Sequence, residues 1–172
     1  EPILDLGVEN PFSEIMKTNG YVVTNGTGFL QGDKWSDMFP VGADTNSYDP
    51  VYFKFYDKYS NPFSVRVAGP SFIHKPIDTS SVVKREWFIN ASSPENSDAD
   101  VTFNYDESAP KGKNYNENGN LVVGTYSNGK WVETPIAADN HTVYANNFDV
   151  NTSFIIGNAN ALPLKFISFN GY

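Results

Sequence analysis

A chain of 172 residues is long enough for one domain that buries roughly 70% of the surface its unfolded form exposes. It has no cysteine, which excludes disulfides, thiolate metal sites and cysteine nucleophiles. Its 12 Lys and Arg against 20 Asp and Glu give a net charge of -8, a surface that repels nucleic-acid backbones and anionic membranes, and no apolar run approaches the ~20 residues of a membrane helix.

Taken in chain order, residues 1–18 read as a lead-in segment that packs on the main domain or on an upstream neighbour. The start at Glu1-Pro2, without Met, suggests a processed or excised fragment. Helical periodicity is confined to 11–17, where Ser13 caps at most one short turn carrying Ile15 and Met16. From residue 19 onward, strand patterns separated by Gly, Asn, Asp, Ser and Pro clusters predict about ten strands: 21–24, 51–56, 63–67, 82–90, 100–105, 121–126, 130–134, 141–145, 153–157 and 164–169. The 13 Phe and 10 Tyr suit such pleated faces. In Val51-Tyr52-Phe53-Lys54-Phe55-Tyr56, alternation puts Val51, Phe53 and Phe55 on a core face and Tyr52, Lys54 and Tyr56 on the other. Val83, Trp87 and Ile89 share a face in the same way, as do Val101, Phe103 and Tyr105, and this pattern suits antiparallel sheets with one wetted side. Asn128-Gly129 supplies the positive φ of a tight hairpin between 121–126 and 130–134. The expected fold is therefore all-β: a single antiparallel β-sandwich over 19–172, of jelly-roll or immunoglobulin-like topology.

Candidate chemistry is sparse. Tyr52 and Tyr56 project from the wet face about 13 Å apart at ~3.3 Å per residue, and Trp35, Tyr59 and Trp131 extend them into an aromatic platform. Such rings either stack on sugars or cover a second layer or a neighbouring domain. Glu95, Asp98, Asp100, Asp106 and Glu107 surround one predicted strand; their oxygens either hold Ca²⁺ or form a solvated acidic edge that blocks aggregation. Asp44, Asn46 and Asp49 make a smaller group of the same kind. The run Asn114 to Gly119 has the oxygen spacing of a calcium loop, but Asn at its first position and Thr125 at its twelfth favour a simple turn. Arg85 shares a face with Trp87 and Val83, which places a guanidinium at the sheet end, paired to a carboxylate or stacked on a ring. His74 and His141 show neither triad nor metal spacing, and no acid pair is singled out for glycoside hydrolysis, so no catalytic residue and no enzyme activity are expected.

Five ordered pieces resemble one module of large secreted proteins of the Bacteroidetes: Asn19 to Gly28, Phe39-Pro40-Val41-Gly42 with Tyr48-Asp49-Pro50-Val51, Val82 to Ile89, Leu121 to Trp131, and Ser153-Phe154-Ile155-Ile156-Gly157 leading into Ala161 to Phe169. The last is similar to the ALPV-x-LLSF segment ahead of type IX secretion sorting domains. The resemblance implies a secreted or cell-surface β-sandwich beside adhesive or carbohydrate-active neighbours, and no catalytic residue; the fibronectin-like and sorting domains that usually come next are not in this sequence. The functional expectation is a non-catalytic adhesive or carbohydrate-binding module, with glycans and neighbouring domains of the same polypeptide as partners and Ca²⁺ as the one conceivable ion. The alternative is a structural spacer without a soluble ligand, and a glycoside hydrolase is the third reading.

Overall fold

Period-two alternation sorts the side chains of 51–54 as expected: Val51 and Phe53 are buried, Tyr52 is half-buried and Lys54 exposed. The computed structural model describes residues 3–4, 20–32, 37–55, 62–92, 98–139 and 141–162. Among them it forms fourteen strands and no helix. In the first half these are β1 (Ile3–Leu4), β2 (Val22–Val23), β3 (Phe29–Gln31), β4 (Met38–Phe39), β5 (Val41–Gly42), β6 (Val51–Phe55) and β7 (Phe63–Ala68). The second half holds β8 (Glu86–Ala91), β9 (Asp98–Asn104), β10 (Leu121–Ser127), β11 (Lys130–Pro135), β12 (Ala137–Asp139), β13 (Thr142–Asp149) and β14 (Thr152–Asn158). The predicted helical turn at 11–17 and the strand at 164–169 lie outside the described residues.

A seven-stranded sheet, ordered β1-β3-β7-β8-β14-β10-β11, packs on a five-stranded sheet, ordered β12-β13-β9-β6-β4, and β2 and β5 form a small third sheet. The chain is a β-sandwich. Two pairings, β1 with β3 and β2 with β5, are parallel, and the rest are antiparallel. Five short strands, β1, β3, β4, β5 and β12, escape the sequence pattern because two or three residues cannot display a period. The predicted strand 82–90 is interrupted: Val82 and Val83 make isolated bridges to Gly157 and Lys111, and the ladder begins only at Glu86. At the Asn128-Gly129 turn, both residues have the positive φ the pair was expected to supply, 51° and 78°.

The inner faces meet through Val65, Val67, Trp87, Ile89, Val123, Phe154 and Ile156 on one side and Val51, Phe53, Val101, Phe103, Val143 and Ala145 on the other. Phe103 bridges the layers, its ring 5.4 Å from Trp87 and 5.1 Å from Phe154. The seven-stranded sheet is covered on its outer face as well. There the 69–84 connection and the 159–162 turn seal a second cluster of Val82, Val122, Trp131, Ile155, Ala161 and Leu162. Leu162 occupies the space a side chain on Gly124 would need, since a Cβ there would lie 2.4 Å from Leu162 Cδ1. Beneath the 69–84 connection the Glu86 carboxylate is fully buried; it accepts the N–H of Ile73 at 2.7 Å and of His74 at 3.2 Å, and its Oε1 lies 2.6 Å from His74 Nδ1.

Arg85 lies just ahead of β8 and is 1% exposed. Its Nε donates to Asp49 Oδ2 at 2.9 Å and its Nη2 to the half-exposed Asp44 at 3.2 Å, so Asp44 and Asp49 serve an ion pair. Asp49 is fully buried and also accepts from Ser47 Oγ at 2.8 Å, Ala43 N at 3.4 Å and Asp106 N at 3.2 Å, while its carbonyl accepts from Trp87 Nε1 at 3.2 Å. Replacing Asp49 with Ala leaves a buried guanidinium with the half-exposed Asp44 and the Lys84 carbonyl as partners, and we expect chemical denaturation to show a loss of about 3–5 kcal/mol. The Asp49→Leu/Arg85→Met double variant should recover part of this, because the charge goes but the N–H groups of Ala43 and Asp106 stay unsatisfied. A loss under about 1 kcal/mol for Asp49→Ala would show that the pair is effectively solvated.

Candidate functional site

Strand alternation that buries Val51, Phe53, Val101, Phe103, Val143 and Ala145 turns the intervening residues of β6, β9 and β13 outward. The register aligns them in rows. Met38, Tyr52, Thr102, Tyr144 and Ala137 form one row across all five strands, since Tyr52 pairs with Met38 and Thr102, and Tyr144 with Thr102 and Ala137. Strands lie ~4.8 Å apart, so the Cα atoms of Tyr52 and Tyr144 are about 10 Å from each other with Thr102 between them. Tyr144 is 43% exposed. On one side of this row Lys54 pairs with Asp100, and on the other Asn104, Thr142 and Asp139 stand in line. Tyr48, hydrogen-bonded to Tyr52, has its phenol pushed well above the usual range, first by burial and then by Tyr52. In contrast to the sealed outer face of the other sheet, this one presents hydroxyl, amide, charged and aromatic groups to solvent.

The residues expected to form sites are distributed differently. Trp131 is 5% exposed and belongs to the seven-stranded sheet, where its indole donates to the His74 carbonyl at 3.0 Å and packs edge-on against Tyr126. It therefore shares no platform with Tyr52: the 69–84 connection covers it, which strand parity could not reveal. Trp35, Tyr56, Tyr59 and Glu95 lie outside the described residues, as does the side chain of Asp98. Asp100 faces Lys54 from mid-strand, whereas Asp106 lies beyond the strand's far end, about 20 Å away at ~3.3 Å per residue. The two carboxylates cannot share an ion. Asp106 instead accepts the Ser108 N–H at 2.8 Å, and hydrogen bonds from Ser108 hold its carboxyl below the usual range. Among the described residues no group of three or more His, Asp or Glu side chains is placed to hold a metal. In the Asn114 to Gly119 run, Asn116 Oδ1 accepts the Asn118 N–H at 3.0 Å and the loop is anchored to Asn158, so this is a turn.

A second polar feature had no signal in the sequence. Where the chain crosses from β11 to β12, the 117–121 stretch, Pro135 to Asp139 and His141 line two adjoining cavities of about 440 and 350 Å³. Glu117 stands at their shared wall, its Oε1 2.5 Å from Lys111 Nζ and 3.2 Å from His141 Nε2. The hydroxyls of the buried Tyr105 and the half-buried Tyr115 meet at 2.9 Å, and burial raises both phenol pKa values. These contacts join residues far apart in the chain, which is why the sequence does not show them.

No protein-family model, curated protein or solved structure matches this chain.

The hydrogen bond from Lys111 is the largest reason the Glu117 carboxyl titrates below its usual range. A depressed folded value means that the stabilisation is fully present above the ordinary carboxylate value of about 4.3 and disappears as pH falls through the lower folded value. We expect Glu117→Gln to flatten that acid limb in thermal unfolding scans while changing stability at pH 7 only slightly, since the carboxylate is half-exposed. An unchanged acid limb would mean that Lys111 and Glu117 do not pair in solution.

Proposed function

We propose that this chain is a non-catalytic carbohydrate-binding module of an exported cell-surface protein, and that its binding face is the open side of the five-stranded sheet. The observation that carries the reading is the pair Tyr52 and Tyr144, set on one face on either side of Thr102. Two tyrosine rings about 10 Å apart can each take the C–H face of a sugar, with Thr102 at their centre contributing a hydroxyl and no bulk. Asp100, Thr142 and Asp139 flank the row with acceptors and donors for sugar hydroxyls, and the net charge of -8 favours neutral glycans over polyanionic ones. The five ordered sequence pieces support the exported setting.

A second reading, a spacer that docks neighbouring domains, draws on Ile73 and Ile77. Both lie on the 69–84 connection, are 58% and 63% exposed, and offer an apolar contact with no role in sugar binding.

A glycan array followed by calorimetry on the best ligand separates the two. We expect Tyr144→Ala and Tyr52→Ala each to weaken binding about tenfold, roughly 1.4 kcal/mol, with Tyr144→Ala altering stability by no more than about 0.5 kcal/mol because the ring is exposed. Ile73→Ser/Ile77→Ser should leave glycan affinity unchanged. An empty array, or a bound glycan indifferent to both tyrosines, removes the binding face and leaves the spacer.

A further inference from the structure

Two tight hairpins among the described residues close differently. Between β10 and β11 the turn uses Asn128 and Gly129, the inexpensive choice for positive φ. Between β12 and β13, Asp139 pairs with Thr142, and His141 stands in the turn with φ 67°, a left-handed conformation that L side chains adopt at a cost and glycine does not. Glycine would close this hairpin with less strain. Beyond packing a side chain that is 21% exposed, the imidazole makes one 3.2 Å contact with a half-exposed Glu117 that Lys111 already neutralises, and an edge-on approach to Tyr105 at 5.1 Å. Strain kept in place by a side chain with a small structural return points to a task for that side chain.

The imidazole lines the smaller of the two cavities between the 117–121 stretch and β12. Together the cavities fall within the size range of small-molecule sites. Their shared wall sets Glu117 and Asn118 above an apolar floor of Leu121 and Ala138. Asn120 lines the outer cavity and Asp139 the inner one. Lys111 offsets the charge of Glu117, so the carboxylate is an acceptor with little charge left for a cation, and Asp139 opposes an anion. Carboxylate, carboxamides and imidazole converging over an apolar floor suit adjacent hydroxyls on a ring whose other face is C–H.

From this we infer that the cleft between the 117–121 stretch and the β12–β13 hairpin is a second binding site, which takes a single neutral sugar residue end-on, with His141 and Glu117 as its hydrogen-bonding pair. The inference shares its ligand class and one flanking residue, Asp139, with the function proposed above, but does not rest on Tyr52, Thr102 or Tyr144.

The test uses the whole chain and the methyl glycosides of glucose, galactose and mannose, too short to span Tyr52 and Tyr144. Binding is followed by saturation-transfer NMR on the glycoside for every protein and also through the His141 imidazole resonances for wild type and Tyr144→Ala, and thermal midpoints are measured for wild type, His141→Gly and Tyr144→Ala. The expected result is that at least one glycoside shifts the His141 signals, that His141→Gly weakens its binding at least tenfold, and that the same variant unfolds at a higher temperature than wild type. Tyr144→Ala should leave glycoside binding intact. If no glycoside moves the His141 signals, or if His141→Gly binds as wild type does, the cleft is not a sugar site. If His141→Gly unfolds at a lower temperature, the histidine holds the fold and the inference is overturned. Loss of oligosaccharide affinity in Tyr144→Ala together with no glycoside binding to wild type would retain the open face and reject the cleft; loss of glycoside binding in His141→Gly together with oligosaccharide affinity indifferent to Tyr52 and Tyr144 would retain the cleft and reject the face.

Discussion

The two sheets are tied to each other by one buried pair, Arg85 with Asp49. Arg85 precedes β8 in the seven-stranded sheet and Asp49 precedes β6 in the five-stranded one, so their 2.9 Å contact ties the two layers at a point where neither charge reaches water. Taking two ions out of water costs several kcal/mol each, and the arrangement holds only because the other lone pairs are met by Ser47, Ala43 and Asp106. Those partners are informative. Asp106 comes after β9, and the Trp87 indole belongs to β8, so one carboxylate and its own carbonyl set the ends of three strands in relation to one another. Two of those strands, β6 and β9, carry Tyr52 and Thr102 side by side.

The two sheets meet water in opposite ways, and the sequence shows this where runs are long enough. Val51 to Phe55 alternates, and its sheet has one wet face; Phe154-Ile155-Ile156 and Leu121-Val122-Val123 are continuous, and theirs is covered on both. The core faces, the Asn128-Gly129 hairpin and the pairing of Arg85 with a carboxylate were legible because each depends on local pattern or on a charge that burial forces to find a partner. Trp131 was not. Parity tells which side of a strand a ring stands on, never whether a distant connection lies over it. Tyr144 went unnoticed for the complementary reason: it sits beside an Ala-Asn-Asn stretch whose two asparagines bulge from the ladder, and only pairing through β9 brings it into the row of Tyr52.

The two histidines show how the same side chain is put to different use by depth. His74 stacks on Tyr126 at 3.9 Å and is held by Glu86, which has no exposure at all; together they fasten a connection over the sheet. His141 meets a carboxylate that water also reaches. Neither partner is near in sequence, 12 and 24 residues away, so no motif announces either pair.

The order β8-β14-β10 places the last described strand in the middle of the larger sheet rather than at its border. As the chain emerges from its amino end, β7 and β8 can pair, and β10 with β11, but the two halves present raw edges to each other until Thr152–Asn158 arrives between them. Completion is thus a late, long-range event, and Leu162 reaches its place over Gly124 only after it. Such a topology folds slowly relative to one built from neighbouring hairpins, and a nascent or threaded polypeptide stays open while β14 is withheld. The sandwich closes once, and from the far end.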